Sequence, residues 1–271
     1  MMHKFLLFVL LLFLSPRFAF SLQCYISIIP FVLNYSVTAD TLPSFDNCSL
    51  VDVSGECTFT IIWLRNPESS MIIFGYDSIS NENKSSSDSI LASVQYQLEG
   101  DELDKRLSHD VQYVCKSSDE CNSGTNLKRI LKSIRIEENF SGRFNSLIAA
   151  NQLFNNQSIN ECYFNRPSND CSPIDYSNCR RCQISMNFFH SSVHEICATC
   201  PTITPEFNSI KRDAVFIVNN RSQVIDRVQL LCQIGEHCNS IENIYRIRQA
   251  SIIYFDFDQF FFTHIHRLFF Q

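Results

Sequence analysis

Val111-Gln112-Tyr113-Val114-Cys115, followed by Cys121-Asn122-Ser123, recurs at a constant offset as Val228-Gln229-Leu230-Leu231-Cys232 followed by Cys238-Asn239-Ser240. The match runs on without a gap, because Asn126, Arg129 and Ile130 correspond to Asn243, Arg246 and Ile247. Self-similarity with both cysteines and the following Asn in register reads as two related units in one chain. Ahead of the motif the agreement is looser. Cys24, Cys48 and Cys57 stand against Cys162, Cys171 and either Cys179 or Cys182, across loops of unequal length. The first unit holds five of the 13 cysteines and the second holds eight, so an odd number must leave a thiol unpaired or bonded outside the chain.

Working outward, the period of the apolar residues is that of strands. Val94, Tyr96 and Leu98 alternate with polar neighbours, and Val111, Tyr113 and Cys115 do the same after the turn around Gly100. These two runs read as a hairpin leading into the cysteine motif. Phe59 to Leu64 and Met71 to Phe74 are rich in branched and aromatic side chains and read as two more strands. Val215 to Val218 and Val224 to Leu231 take the equivalent places in the second unit. After each motif the period becomes helical: Leu127, Ile130, Leu131 and Ile134 share one face, as do Ile241, Ile244, Ile247 and Ala250. Asn239 with Glu242 three residues on has the pattern of a helix N-cap. The expected fold class is α+β, two tandem cysteine-rich units, each an antiparallel β-sheet followed by an amphipathic helix. Residues 22–140 form unit 1, the polar stretch 141–160 a linker, 161–258 unit 2, and 259–271 an aromatic tail after a last strand from Ile252 to Phe257. Asp77 to Ser89, polar and rich in Ser, reads as an exposed loop.

The Cys-x5-Cys-Asn motif resembles the end of three-finger domains of the snake-toxin and urokinase-receptor class. In that family the last two cysteines close a small loop and the following Asn, here Asn122 and Asn239, ties the bases of the fingers together. The resemblance covers about a dozen residues per unit. Val114-Cys115 and Leu231-Cys232 lack the family's adjacent cysteine pair, and a helix is expected where such domains end.

The first 21 residues have the three-part order of a secretory signal: a basic start at His3 and Lys4, an apolar run from Phe5 to Leu14, and small residues before a cut after Ser21. The apolar run is about half the roughly 20 residues needed to span a bilayer. Six sequons agree with export, at Asn34, Asn47, Asn83, Asn139, Asn156 and Asn220. The formal net charge is −6, and loss of Lys4 and Arg17 with the leader makes the mature chain more acidic. An acidic surface without a basic cluster excludes nucleic acid as an expected partner and argues against docking on anionic lipid. The charges scattered through the Phe-rich end from Ile252 to Gln271 argue against stable membrane insertion there.

In an oxidising compartment the expected fate of these cysteines is a disulfide framework. The expected set is Cys48, Cys57, Cys115, Cys121, Cys162, Cys171, Cys179, Cys182, Cys197, Cys200, Cys232 and Cys238, with Cys115–Cys121 and Cys232–Cys238 as short local bridges. Cys179-x2-Cys182 and Cys197-x2-Cys200 could alternatively supply four thiolates to zinc. His190 and His194 lack the Glu placement of a metalloprotease, and His264 and His266 lack a third ligand. With no nucleophile elbow and six glycines in all, no residue reads as catalytic and no cofactor is expected. The expected function is a secreted, glycosylated binding or structural protein. Its partner would be an extracellular protein or glycan, with a disulfide-linked dimer open to the odd cysteine. A secreted enzyme of unrecognised type and a zinc protein are the alternatives.

Overall fold

The computed structural model describes residues 21–65, 68–78, 87–99, 104–140, 143–144, 162–165, 171, 181–189, 192–201, 207–232 and 238–262. In chain order the elements are β1 (Leu22–Ile26), β2 (Phe31–Leu33), β3 (Ser49–Val53), β4 (Glu56–Arg65), β5 (Glu68–Asp77), β6 (Ser89–Glu99), β7 (Asp104–Cys115), α1 (Gly124–Ser133) and β8 (Ile134–Glu138). Then follow β9 (Cys182–Phe189), β10 (Ser192–Thr199), β11 (Asn208–Ile217), β12 (Ser222–Cys232), α2 (Ile241–Gln249), β13 (Ser251–Phe255) and α3 (Phe257–Phe262).

The α+β expectation is corrected: the protein is mostly β, and its helices are short. Nine strands form one sheet in the order β10-β9-β12-β11-β6-β7-β4-β5-β2. Both regions expected to be separate sheets belong to it, because β6 and β11 pair antiparallel from Ser89↔Ile217 to Leu98↔Asn208. Each is the outer strand of a hairpin, with β7 and β12 respectively, and would otherwise present a row of unpaired N–H and C=O groups. Edge-to-edge pairing satisfies those groups. Ser93, opposite Asp110 in its own hairpin, faces Asp213, which lies opposite Arg227 in the other.

One sheet face is covered. Ile90, Ala92, Val94, Tyr96 and Leu98 alternate onto it from β6, and Ile210, Ala214 and Phe216 from β11, all buried. A two-stranded sheet of β8 and β13 lies over the centre, with Ile136 opposite Ile253. There β8 contacts β6 and β13 contacts β11, while α2 packs on β9 and β12. A second two-stranded sheet of β1 and β3 covers the flank, where β1 contacts β4 and β5. Full burial of each large side chain in this layer contributes roughly 1.5–3 kcal/mol.

Several local expectations also change. The helical stripe was expected to include Ile134, but α1 stops at Ser133 and Ile134 opens β8, because its branched side chain fits the strand that pairs with Phe255. Glu137 and Glu138 belong to β8, and beyond them Phe140 and Phe144, the latter within the expected linker, are buried against one another. The last strand ends at Phe255, and the expected tail begins as helix α3, with Asp256 accepting the N–H of Gln259 at 2.9 Å and Phe260 buried. Asn239 is not the N-cap of α2; Ser240 is, accepting from Asn243 N–H at 3.3 Å. Residues 1–20 of the expected leader 1–21, most of the 77–89 loop, most of the 141–160 stretch, and residues 263–271 lie outside the described residues. Among the described residues no helix is long and apolar enough to cross a membrane.

Candidate binding cleft

Disulfides organise both halves. Cys24–Cys57 and Cys115–Cys121 lie in the first, and Cys162–Cys182, Cys171–Cys197 and Cys232–Cys238 in the second. Cys200 is bridged as well, and Cys179 lies outside the described residues. Two expectations are corrected. Cys48 is a free thiol, and its place is taken by Cys24, which had not been assigned a bridge. Cys24 sits in β1, which packs against β4, whereas Cys48 immediately precedes β3, the strand paired with β1. Burial pushes the Cys48 thiol pKa up. Of the zinc alternative's four sulfurs, Cys182 and Cys197 are bonded to cysteines outside the quartet. Among the described residues no three His, Cys, Asp or Glu side chains converge as metal ligands.

The Asn after each local bridge is buried. Asn122 accepts Tyr25 N–H at 2.9 Å and donates to the carbonyls of Tyr25, Thr58 and Gly75 at 2.8, 2.9 and 3.3 Å. It therefore joins β1, β4 and β5 at one point. Asn239 accepts Tyr163 N–H at 2.8 Å and donates to the carbonyls of Tyr163 and Gln183 at 2.8 and 3.1 Å. The sequon asparagines Asn34, Asn47, Asn139 and Asn220 are all exposed, while Asn83 and Asn156 lie outside the described residues. Also outside are His190, His264 and His266; the backbone of His194 lies in β10.

A cleft of about 590 Å³ opens at the end of β4. Its apolar wall is Trp63, Leu107, Leu131, Ile134 and Ile136, drawn from β4, β7, α1 and β8. Its other wall is the 36–38 segment, held in place from two sides. Ser70 Oγ accepts Val37 N–H at 2.9 Å and donates to the Tyr35 carbonyl at 2.8 Å, while Trp63 Nε1–H donates to the Val37 carbonyl at 2.8 Å. Trp63 thereby keeps its only donor satisfied and turns its ring toward the cleft.

His109 lies opposite Trp63 in the β4–β7 register and lines the same cleft. Its Nε2 is buried and has no hydrogen-bond partner. Burial lowers the His109 pKa, Glu138 works against that shift, and Arg65 adds to it. The imidazole is therefore neutral at neutral pH, with Nε2 enclosed by protein rather than open to the cleft. At the mouth, Arg65 bonds Glu138 at 2.6 Å, with Arg65 largely exposed and Glu138 buried, and Glu138 also accepts Phe140 N–H at 2.7 Å. Neither Trp63 nor His109 was singled out from sequence. The signal was nevertheless present: His109 interrupts the alternating run Leu107, Val111, Tyr113 and Cys115 at a position that should point inward.

The corresponding place in the other half is occupied by charge. Phe188 faces Asp226 in the β9–β12 register, as Trp63 faces His109. Arg248 stacks over the Phe188 ring at 4.0 Å and its Nε donates to Asp226 at 2.9 Å. Arg212 donates to both Asp226 oxygens at 3.0 and 3.3 Å, and to the Arg248 carbonyl, the Ser251 hydroxyl and the Ser251 carbonyl. About 340 Å³ remains beside this cluster, lined by Arg221, Gln223, Asp226 and Arg248. A polar groove of about 250 Å³ also lies on the uncovered sheet face, among Gln183, Asn187, Glu195, Arg227 and Gln229. Comparison with protein-family models, with curated proteins and with solved structures finds no match to this chain.

Proposed function

We propose that the protein is a secreted glycoprotein built from two three-finger-like units joined edge to edge, and that it works by binding a small apolar ligand in the cleft of the first unit. The disulfide framework fits an extracellular protein. The exposed sequon asparagines are compatible with glycans. Support for the two-unit reading comes from matching details. The Cα atoms of Cys24–Cys57 and Cys162–Cys182 are both 5.3 Å apart, and those of Cys115–Cys121 and Cys232–Cys238 both 6.1 Å. The hairpin order β5-β4-β7-β6 is mirrored by β10-β9-β12-β11, and Asn122 and Asn239 each bind the residue after a half's first cysteine to the hairpin base.

The observation that carries the binding role is the open cleft walled by Trp63, Leu107, Leu131, Ile134 and Ile136, set against its charged counterpart. A cleft of this size, with an apolar wall and with Ser36, Thr38, Arg65 and Glu68 also lining it, has the properties of a small-molecule site. Trp63 is the single tryptophan of the chain and reports on the cleft directly. Titration with 1-anilinonaphthalene-8-sulfonate should change Trp63 fluorescence saturably with one site per chain. Leu131→Arg, which brings in the residue type of Arg248, should remove that site. Absence of a saturable change in the wild type, or dye binding untouched by L131R in a folded variant, would overturn the reading.

A further inference from the structure

We propose that the sheet face opposite the cleft carries a docking surface for a second copy of this chain. Ala92 pairs with Val111, and Arg212 pairs with Val228, the repeat equivalent of Val111. Ala92 and Arg212 therefore hold one position of the repeated hairpin, and Ser93 and Asp213 hold the next. Ser93 and Asp213 also face each other across the β6–β11 junction, so a local two-fold axis normal to the sheet passes between them. That axis exchanges the two ends of the sheet face. It relates Leu91 to Lys211, Gln95 to Val215, Gln97 to Ile217 and Ser108 to Ile225, and in every pair one member is apolar and the other polar. The four apolar members gather at one end: Leu91 pairs with Val215, Val215 with Ile225, and Ile217 lies one row beyond. The four polar members lie at the other end, where Lys211 pairs with Gln95 and Gln95 with Ser108.

Burial within the chain does not account for this sorting. Ile225 is 38% exposed, Leu91, Val215 and Ile217 are half-buried, and Phe189, 47% exposed, extends the surface onto β9. The polar end shows what the same frame holds where it faces water, and Leu231, the apolar exception there, is buried. Charge and area point to the occupant. The chain is acidic, with a formal net charge of −6, so two copies repel one another over most approaches. Beyond the row Asp110–Ser93–Asp213–Arg227, the next two rows across β7, β6, β11 and β12 hold no charged side chain on this face. A neutral apolar surface is complementary to itself, which is what an isologous two-fold contact requires. The seven strands from β5 to β9, at about 4.8 Å each, and three rows about 6.8 Å deep offer roughly 700 Å². That is close to the ~800 Å² each partner gives to a standard interface.

The test is the mass of the intact protein by sedimentation equilibrium, which should show a dimer at micromolar concentration. Non-reducing electrophoresis in dodecyl sulfate should show the monomer, which separates this contact from a dimer linked through Cys48. Leu91→Lys brings in the residue type of Lys211 and places two ammonium groups in one contact; it should weaken dimerisation roughly a hundredfold or more. Val215→Gln with Ile225→Ser brings in the residue types of Gln95 and Ser108 and should weaken it roughly tenfold or more. Both variants use side chains that the repeated hairpin already carries at the related positions. Trp63 emission from the cleft, on the other face, should be unchanged and reports that each variant is folded. Gln97→Ala, at the polar end, should leave the dimer intact. A chain that stays monomeric at roughly 100 μM, above the weak limit for interfaces of this class, overturns the assignment. So does a dimer indifferent to both apolar-end variants, or one that survives dodecyl sulfate until it is reduced. A monomer that floats with phosphatidylcholine vesicles gives the face to a membrane and overturns the second-copy assignment as well. The cleft takes no part in the contact, so each outcome is independent of ligand binding there.

Discussion

Trp63 and His109 face each other across β4 and β7, and Phe188 and Asp226 face each other across β9 and β12, at corresponding distances from a local disulfide. Leu131 in α1 covers the first pair and Arg248 in α2 covers the second. In the first half three largely apolar side chains leave a space of about 590 Å³. In the second, a carboxylate and two guanidiniums fill it, and a space of about 340 Å³ is left outside them. One backbone frame therefore supports either an open cleft or a plug. At the matched positions the side chains differ: a neutral imidazole needs no counter-ion, whereas the buried carboxylate is held by two guanidiniums.

Breaking the plug should have the largest effect. Asp226→Leu leaves Arg212, which is buried, and Arg248 without their anion, and should cost roughly 3–5 kcal/mol of stability in urea unfolding. Combining it with Arg212→Ala and Arg248→Leu removes the stranded charges and should recover most of that loss. The triple variant should also gain a second dye site. A loss under about 1 kcal/mol for the single change would mean that the cluster is not a coupled buried network.

The buried asparagines sharpen the comparison at intermediate size. Asn122→Ala strands four backbone groups, those of Tyr25, Thr58 and Gly75, while Asn239→Ala strands three among the described residues. Each change should lower stability by about 1–3 kcal/mol or more, with the Asn122 variant the worse of the two. Equal or reversed losses in thermal unfolding would show that the finger bases are not held together mainly by these amides.

The smallest expected effect is in pH. The His109 pKa is lowered in the folded chain, so the unfolded chain takes up the proton first as pH falls. This contribution to stability is fully present above about 6.5 and is lost as pH drops through the folded value. His109→Phe should flatten that part of the stability profile in a denaturant series, and Asp226→Leu should not. A wild-type profile with no slope between the two pKa values would remove His109 from the account.

The strands at Phe59 to Leu64, Val94 to Leu98 and Val111 to Cys115 were legible because alternation survives in any sheet with one wet face. What alternation does not specify is the neighbour. Nothing in β6 or β11 distinguishes a strand at an edge from one at the centre, and two expected sheets turned out to be one. For the same reason Cys48 was placed among the bridged cysteines and Cys24 left out, since spacing does not tell which sulfurs meet. The cleft was less legible still. Trp63, His109, Leu131 and Ile136 are far apart in the chain and ordinary in their local patterns, and only packing of β8 over β6 brings them together.

By itself, then, the sequence determined what depends on neighbours along the chain: the strand periods, the two Cys-x5-Cys-Asn loops, and a cysteine content that calls for disulfides. Tertiary structure decided what depends on neighbours in space: the β6–β11 junction, the pairing of β8 with β13, the free thiol at Cys48, and the open state of one cleft beside the plugged state of the other. The physical reason is range. Backbone preference and side-chain alternation act over a few residues, whereas burial, ion pairing and edge satisfaction are settled only when distant segments compete for the same space.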